Sequence, residues 1–456
     1  MNGEIKGWVS NEFETLNFNS SRLEKRFMKT MSDLSEDPEK SLWLAAGSRI
    51  NAKAAYRMLA NEKFDKASIL SAHRAAANSR SKGNPVMLAV QDSMSVNYNT
   101  HSKTEGLGYN CEQTLGINVH SCLLLTPDGT PLGLLDQSAI TREKNNSRDK
   151  TEKEKCSRPI AEKESHRWLE TMQTAAANAP KQVSLIHIAD REGDIYELYA
   201  LAEQICEKFI IRAVHDRIDT KHTHIIQSIR DSEVVGRTIV TVASNRKMSK
   251  KEREVELIIQ YKRFDVKKPR KRQKENGLKD SLDLTLIRLA EINPPENTKP
   301  LEWLLVTNLD ISSAQDALLA ASYYKQRWKI ERFHFVLKSG CTIEKIQQRS
   351  VRGIEFMVLM YSIIAIHIMM LTFLSRNAPE TPCNLIFEEI EWQTLYRAAN
   401  RTQSIPEKPP SMKDAVRFIA KLGGFAGAPS DGHPGLKVLW IGLNSLLILM
   451  TYRNFI

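Results

Sequence analysis

Residues 323–338 read YYKQRWKIERFHFVLK, one acid, Glu331, among six basic side chains. In a helix each residue advances about 100°, so Tyr324, Arg327, Glu331 and Lys338 would share a stripe about 60° wide. Ile330, Phe333, Val336 and Leu337 fall on other faces and can pack. On a surface helix such a stripe can be no more than a solvated, ion-paired face, because Arg327 and Glu331 have i, i+4 spacing. What it means depends on which other groups the chain brings to that carboxylate.

Two further acids bear on it. Asp92 closes the apolar run VMLAVQ (86–91), and Asp190 closes VSLIHIA (183–189). An acid at a strand end is often a turn residue or a helix N-cap, and Asp190 could cap a helix beginning near Asp194. If the two strands instead form a parallel pair, both carboxylates reach the sheet edge where open α/β sheets place their sites. A helix laid across that edge would add Glu331. Three carboxylates with no good His/Cys cluster suit Mg²⁺ or Mn²⁺. Two such ions about 3.5–4 Å apart support phosphoryl transfer. Tyr324, Arg327 and Lys338 could then hold the phosphates of the strand being cut.

Around these motifs the pattern organises into three regions. Residues 1–75 read as helical, with Ser20 or Ser21 as an N-cap and Leu23, Phe27 and Met31 as a buried stripe. Residues 76–375 hold the strands. A strand ends at Asp92, a hairpin follows over 116–139 with Pro127, Asp128 and Gly129 in its turn, and then come helix, strand, helix and strand. That order is the order of a ribonuclease-H-like α/β core, a mixed five-stranded sheet with flanking helices, although other mixed α/β layers fit it too. A β-rich insertion occupies about 214–305, with a basic loop at 267–277 that is either a solvated hairpin tip or a DNA contact. Residues 376–456 read as a helical C-terminal region, where Leu439, Leu443, Leu446 and Leu447 are expected to form a dimer face.

The chain is long enough, at 456 residues, for more than one domain, and its net charge of +11 favours a polyanionic partner, nucleic acid before a membrane surface. Six scattered cysteines form no C-x-x-C pair, so neither a zinc ribbon nor a disulfide framework is indicated and a reducing cytoplasm is expected. The first residues lack the order of a signal peptide. Two apolar stretches, 356–374 and 436–456, are read as buried or oligomer-forming helices, because His367 and Asn444 interrupt them.

The segment 323–338 contains Tyr-x2-Arg-x3-Glu-x6-Lys, and with QDS at 91–93 and ADREGD at 189–194 it resembles the Y-R-E-K branch of bacterial insertion-sequence DDE transposases. AAYRML near the N-terminus, INPPENTKPLEWLLVT before the signature and AKLGGF at 420–425 extend the likeness to the transposon-five type over most of the chain. The resemblance implies a ribonuclease-H-like core with Asp92, Asp190 and Glu331 as its triad, two Mg²⁺ ions (Mn²⁺ as substitute), and Trp303 beside the DNA end. It also implies an N-terminal end-recognition domain and a homodimer in which one protomer's N-terminal domain binds the end its partner cuts. The chemistry implied is nicking, a hairpin on the transposon end, its resolution, and strand transfer into target DNA by a cytoplasmic, nucleoid-associated enzyme that needs no membrane. Trp303 could equally be a core tryptophan opening a strand. Arg22, Arg26, Arg49 and Arg57 are candidate DNA contacts, although the recognition helices match the family less well than the signature does. The competing functions are a non-catalytic inhibitor of transposition and a metal-dependent nuclease without strand transfer. The basic N-terminal segment and the three retained acids argue against the inhibitor.

Overall fold

The computed structural model describes residues 7–110, 114–143, 158–242, 253–272, 277–296, 298–428 and 432–452. Five helices come first: α1 (Gly7–Glu12), α2 (Ser21–Glu36), α3 (Leu42–Ala45), α4 (Arg49–Leu59) and α5 (Lys66–Arg80). Strands β1 (Val86–Asn97), β2 (Gly108–Tyr109), β3 (Leu115–Leu125) and β4 (Pro131–Ile140) follow. Then come α6 (His166–Asn178), β5 (Ser184–Ala189), α7 (Tyr196–Gln204), β6 (Lys208–Arg212) and α8 (Ile225–Arg230). The insertion supplies β7 (Gly236–Val242), β8 (Arg253–Lys267), β9 (Ser281–Glu291) and then β10 (Glu302–Thr307). The last helices are α9 (Ala314–Lys325), α10 (Trp328–Phe335), α11 (Val351–Asn377), α12 (Glu389–Asn400), α13 (Met412–Leu422) and α14 (Leu436–Tyr452). The architecture is mixed α/β, with parallel and antiparallel strand pairs.

Two compact units divide the chain: Met1–Asn84 with Ser93–Asn146 and Lys329–Ile456, and Pro85–Asp92 with Ser147–Trp328. In the second, the first half of β1 pairs in parallel with β5 from Val86↔Ser184 to Val90↔Ile188, and β5 pairs in parallel with β6 up to Ala189↔Ile211. β10 runs antiparallel to β6 and to β9, and β8 and β7 complete the antiparallel insertion. The parallel strands are buried along nearly their whole length, as expected where both faces of a sheet are covered. Trp168 and Met172 of α6 and Tyr199 of α7 pack with Phe209 and Ile211, and the Tyr199 and Phe209 rings stack at 4.9 Å.

In the first unit, Phe13, Phe18, Phe27, Phe64 and Phe356 form a chain of ring contacts between 4.5 and 5.9 Å. Leu23, Phe27 and Met31 are buried as the α2 stripe predicts, joined by Leu34. Ser20 sits at the cap position but its side chain caps nothing, and Glu24 instead accepts a hydrogen bond from the Phe18 N–H at 2.9 Å. α1 is fastened by a buried polar cluster. Glu12 accepts from Arg80 at 2.7 and 3.1 Å and from His73 Nδ1 at 2.5 Å, while His73 Nε2 accepts the Leu134 N–H at 2.8 Å. Nδ1 is therefore the nitrogen that donates to Glu12 and Nε2 the one that accepts. Burial alone would raise the Glu12 carboxyl, but Arg80 and His73 outweigh it and hold it well below the usual carboxylate range.

Among the described residues, only α11 is long and apolar enough to cross a membrane, and 83% of its apolar window is buried in the protein. Its Ser362 accepts a hydrogen bond from Gln137 of β4 at 2.8 Å. The expected leucine dimer face needs correction. Leu439 and Leu446 are 2% exposed, and with the part-buried Leu443 they pack among Leu371, Trp392, Leu395, Val416 and Ile419. The Leu447 side chain lies outside the described residues. The crossing of α13 and α14 is too close for side chains there: a Cβ on Gly442 would lie 1.8 Å from the Ile419 carbonyl oxygen, and one on Gly423 2.0 Å from that of Val438. Gly442→Ala should force these backbones apart and cost about 1–3 kcal/mol, the usual range for overpacking. An unfolding midpoint in urea equal to the parent's would refute this close crossing.

Candidate active site

The strand registers decide the geometry. Val90↔Ile188 is the last paired step of β1 and β5, and Asp92 and Asp190 each follow it by two residues. Ala189↔Ile211 closes the β5–β6 pairing, so the next position sets Asp190 beside Arg212. The three residues thus lie where the parallel pairing stops, the edge at which open α/β sheets place their chemistry, although Asp92 does not close its strand as expected: β1 runs on through it to Asn97.

Each carboxylate already has a partner. Asp92 Oδ2 accepts from Arg327 Nη1 at 3.2 Å, with both side chains 17% exposed. Asp190 Oδ1 accepts the Glu192 N–H at 2.8 Å and so caps a single 3₁₀ turn, Arg191–Gly193, rather than α7. Gly193 makes this turn possible, because a Cβ there would sit 2.5 Å from the Cβ of Ala189.

Asp194, the final acid of ADREGD, turns away from this edge and inward. Its carboxylate accepts from the Val214 N–H at 2.6 Å, the His215 N–H at 2.9 Å and the Tyr199 hydroxyl at 2.7 Å, and it pairs with Arg217. Burial pushes this carboxyl upward, but Arg217 and the three hydrogen bonds outweigh it and hold it below the usual range.

Tyr324, in the last turn of α9, is 4% exposed. Its ring meets Trp303 edge-on at 5.8 Å. Burial pushes the phenol upward against the pull of Arg327 and Arg212, with Asp190 adding to the rise. The hydroxyl therefore stays protonated at neutral pH and can donate to a phosphate oxygen. Trp303 is half-buried on β10, neither sealed in the core nor free of it. Arg212 was not among the predicted site residues. Its place at the end of KFIIR carries no signal of its own, and only the pairing of β6 with β5 brings it into view.

A single regular helix over 323–338, on which the stripe depends, does not form. The N–H groups of Gln326 and Arg327 bond three residues back, to Tyr323 at 3.0 Å and Tyr324 at 2.9 Å, so α9 tightens and ends. After α10, Val336–Gly340 widens into a π turn, closed by the Cys341 N–H on the Val336 carbonyl at 2.9 Å. The even 100° step on which the stripe was drawn therefore fails on both sides of α10. Asp92, Asp190, Tyr324, Arg327 and Trp303 come together within the second unit. Glu331 and Lys338 belong to the first, Glu331 half-exposed on α10 and Lys338 paired with Glu344 at 3.7 Å. Among the described residues, no group of three or more His, Cys, Asp or Glu is set to hold a metal ion.

Among the proposed N-terminal contacts, Arg22, Arg49 and Arg57 are exposed, and Arg26 donates to Asn51 Oδ1 at 3.2 Å. The 267–277 loop is less open than its charge suggests. Lys268 is 6% and Arg272 8% exposed, and Arg272 pairs with Glu197 at 2.8 Å. Residues 273–276 lie outside the described residues.

Comparison with known proteins adds two family matches. A model described as Transposase DNA-binding matches residues 5–64, and one described as Transposase Tn5 dimerisation domain matches residues 363–455. A solved structure, the cryo-EM piggyBac transposase synaptic complex with hairpin DNA, aligns over 95% of this chain and 76% of that chain at 10% identity. Its TM-score of 0.38 is too low to argue from.

Because Asp194 is held below its unfolded value, its contribution to stability is present above about pH 3.9 and is lost as pH falls through the folded value. Asp194→Ala strands the buried Arg217 and should cost about 3–5 kcal/mol at pH 7 by urea unfolding. The deficit relative to the parent should shrink below about pH 4. A loss under about 1 kcal/mol at pH 7 would show that the cluster anchors nothing.

Proposed function

We propose that this chain, whose residues 5–64 and 363–455 match transposase DNA-binding and Tn5 dimerisation models, is a Tn5-like transposase that cuts and pastes its own insertion sequence from a ribonuclease-H-like core. The observation that supports this reading best is the parallel pairing of β1 with β5 from Val86↔Ser184 to Val90↔Ile188, which brings the segments carrying Asp92 and Asp190 to the same end of the pair. The chain order supports this: three long strands with the two-residue β2 among them, a helix, a strand, a helix and a strand, with β1, β5 and β6 in parallel.

In this proposal Asp92, Asp190 and Glu331 hold two Mg²⁺ ions. The donor set fits, being oxygen-only and anionic, which suits a hard cation. Bound, the ions would neutralise charge on the phosphoryl group and lower the pKa of the attacking water or 3′-hydroxyl. The chain's own residues bind and orient the strand. Arg327 and Arg212 stand at the carboxylate row and can take phosphate oxygens in forked hydrogen bonds. Arg327 would exchange Asp92 for the phosphate, leaving that carboxylate to the metal. The Tyr324 hydroxyl donates beside them, and Lys338 adds a further cation. Trp303, half-buried against Tyr324, offers a ring on which an unstacked base next to the scissile bond can lie.

The reaction then proceeds by a nick, a hairpin on the transposon end, its opening, and attack of the 3′-OH on target DNA. Arg22, Arg26, Arg49 and Arg57 bind the end, and two protomers pair the ends, each cutting the one its partner's N-terminal domain holds.

A cleavage assay tests this. Purified protein with Mg²⁺ and a labelled duplex bearing the terminal sequence of its element should yield a nick and then a hairpin. Asp92→Ala, Asp190→Ala and Glu331→Ala should each reduce both products to background while the gel shift of the end persists. Retained nicking by all three variants would overturn the site. Arg327→Ala and Lys338→Ala should weaken cleavage and strand transfer yet leave the calorimetric Mg²⁺ signal in place, and its disappearance would contradict the phosphate role.

A further inference from the structure

The N-terminal helices carry an arrangement that phosphate contacts alone do not explain. Ile50, near the start of α4, is 80% exposed, and among the described residues no large apolar side chain is more exposed. Its neighbours on the helix surface are cations: Arg49, Ile50, Lys53 and Arg57 span about 100° of one face, and all four are exposed. The opposite face, Ala52, Ala55, Met58 and Leu59, is buried. No acid lies anywhere in RINAKAAYRML.

The rest of this unit keeps that face presented. Ser48 caps α4 by accepting the Asn51 N–H at 3.2 Å, after a turn in which Gly47 takes φ 65°. Arg26 of α2 reaches Asn51 Oδ1 at 3.2 Å and so fixes α2 against the first turn of α4. Arg22, Lys25, Arg26 and Lys29 lie together on one face of α2, about 100° wide. A branched apolar side chain is thus held in water amid a field of positive charge, with Trp43 and Leu44 of the preceding α3 also exposed.

We propose that α4 is the element through which this chain reads base sequence, with Ile50 against the 5-methyl group of a thymine in the major groove. The proposal rests on the end-binding reading above. A helix this wide fits the groove, and the thymine methyl is the one alkyl group on any major-groove base edge. Lys53, one turn on, faces the acceptors of adjacent bases, while the α2 cations and Arg57 hold phosphates and set the register. A protein partner would require a contiguous apolar area, whereas these charges complement a polyanion.

The test is selection from a randomised duplex pool with the full chain, followed by affinity measurements on the enriched duplex. The parent should enrich a motif containing a fixed thymine, and replacing that base by deoxyuridine, which removes only the methyl, should weaken binding about fourfold. Ile50→Ala should bind the thymine and uracil forms equally. Ile239→Ala, which alters a 67% exposed isoleucine in the other unit, should discriminate as the parent does. Overturning results are discrimination retained by Ile50→Ala, or a parent motif in which no thymine can be told from uracil. A parent that enriches no motif at all removes the end-recognition reading, and this proposal with it.

Discussion

The parallel register of β1, β5 and β6 is the constraint on which the site depends. A shift of one residue in either pairing would turn every side chain to the other face of the sheet and carry Asp92 or Asp190 away from its neighbour. Buried apolar side chains resist that shift: Met87, Leu88, Ala89 and Val90 on β1, Leu185, Ile186, Ile188 and Ala189 on β5, and Phe209 to Ile211 on β6. Juxtaposing two carboxylates costs electrostatic energy. Arg327 on Asp92 and Arg212 beside Asp190 offset that cost before any ion or DNA enters. The same guanidiniums would be the natural ones to transfer to phosphate.

ADREGD shows how tightly one short stretch serves both stability and chemistry. Asp190 ends a strand and caps the turn after it, Gly193 lets that turn lie against Ala189, and Asp194 ties the turn to Val214, His215, Arg217 and Tyr199. The outward carboxylate is thereby held by the inward one, four residues away. Such support from a buried polar cluster makes a site precise without lengthening the loop that carries it.

Much of this was legible in the sequence because it depends on local patterns. The strand that ends before Asp190, the α2 stripe, the hairpin turn at Pro127–Gly129 and the burial of α11 all follow from periodicity and turn chemistry, whereas β1 runs past Asp92 to Asn97. Arg212 escaped notice because nothing local distinguishes an arginine at a strand end from an ordinary surface residue, and only the register gives it a neighbour. The break at Gln326–Arg327 and the π turn at Val336–Gly340 escaped as well, since every residue across them tolerates a helix and only the backbone bonding differs. Leu439 and Leu446 were assigned outward for a related reason. An apolar helix reads the same whether its own chain or a second one covers it, and here α12 and α13 do so.

His73 has its two ring nitrogens committed in opposite senses, one giving a proton to Glu12 and one taking the Leu134 amide. Side-chain amides are the usual stand-ins for histidine, but each copies a single ring position: asparagine reaches where Nδ1 sits and glutamine where Nε2 sits. Neither bridges a carboxylate on one side and a main-chain amide on the other. Position 73 is therefore closed to the exchanges that histidine ordinarily tolerates, and in close relatives sharing this cluster its identity should vary only together with Glu12.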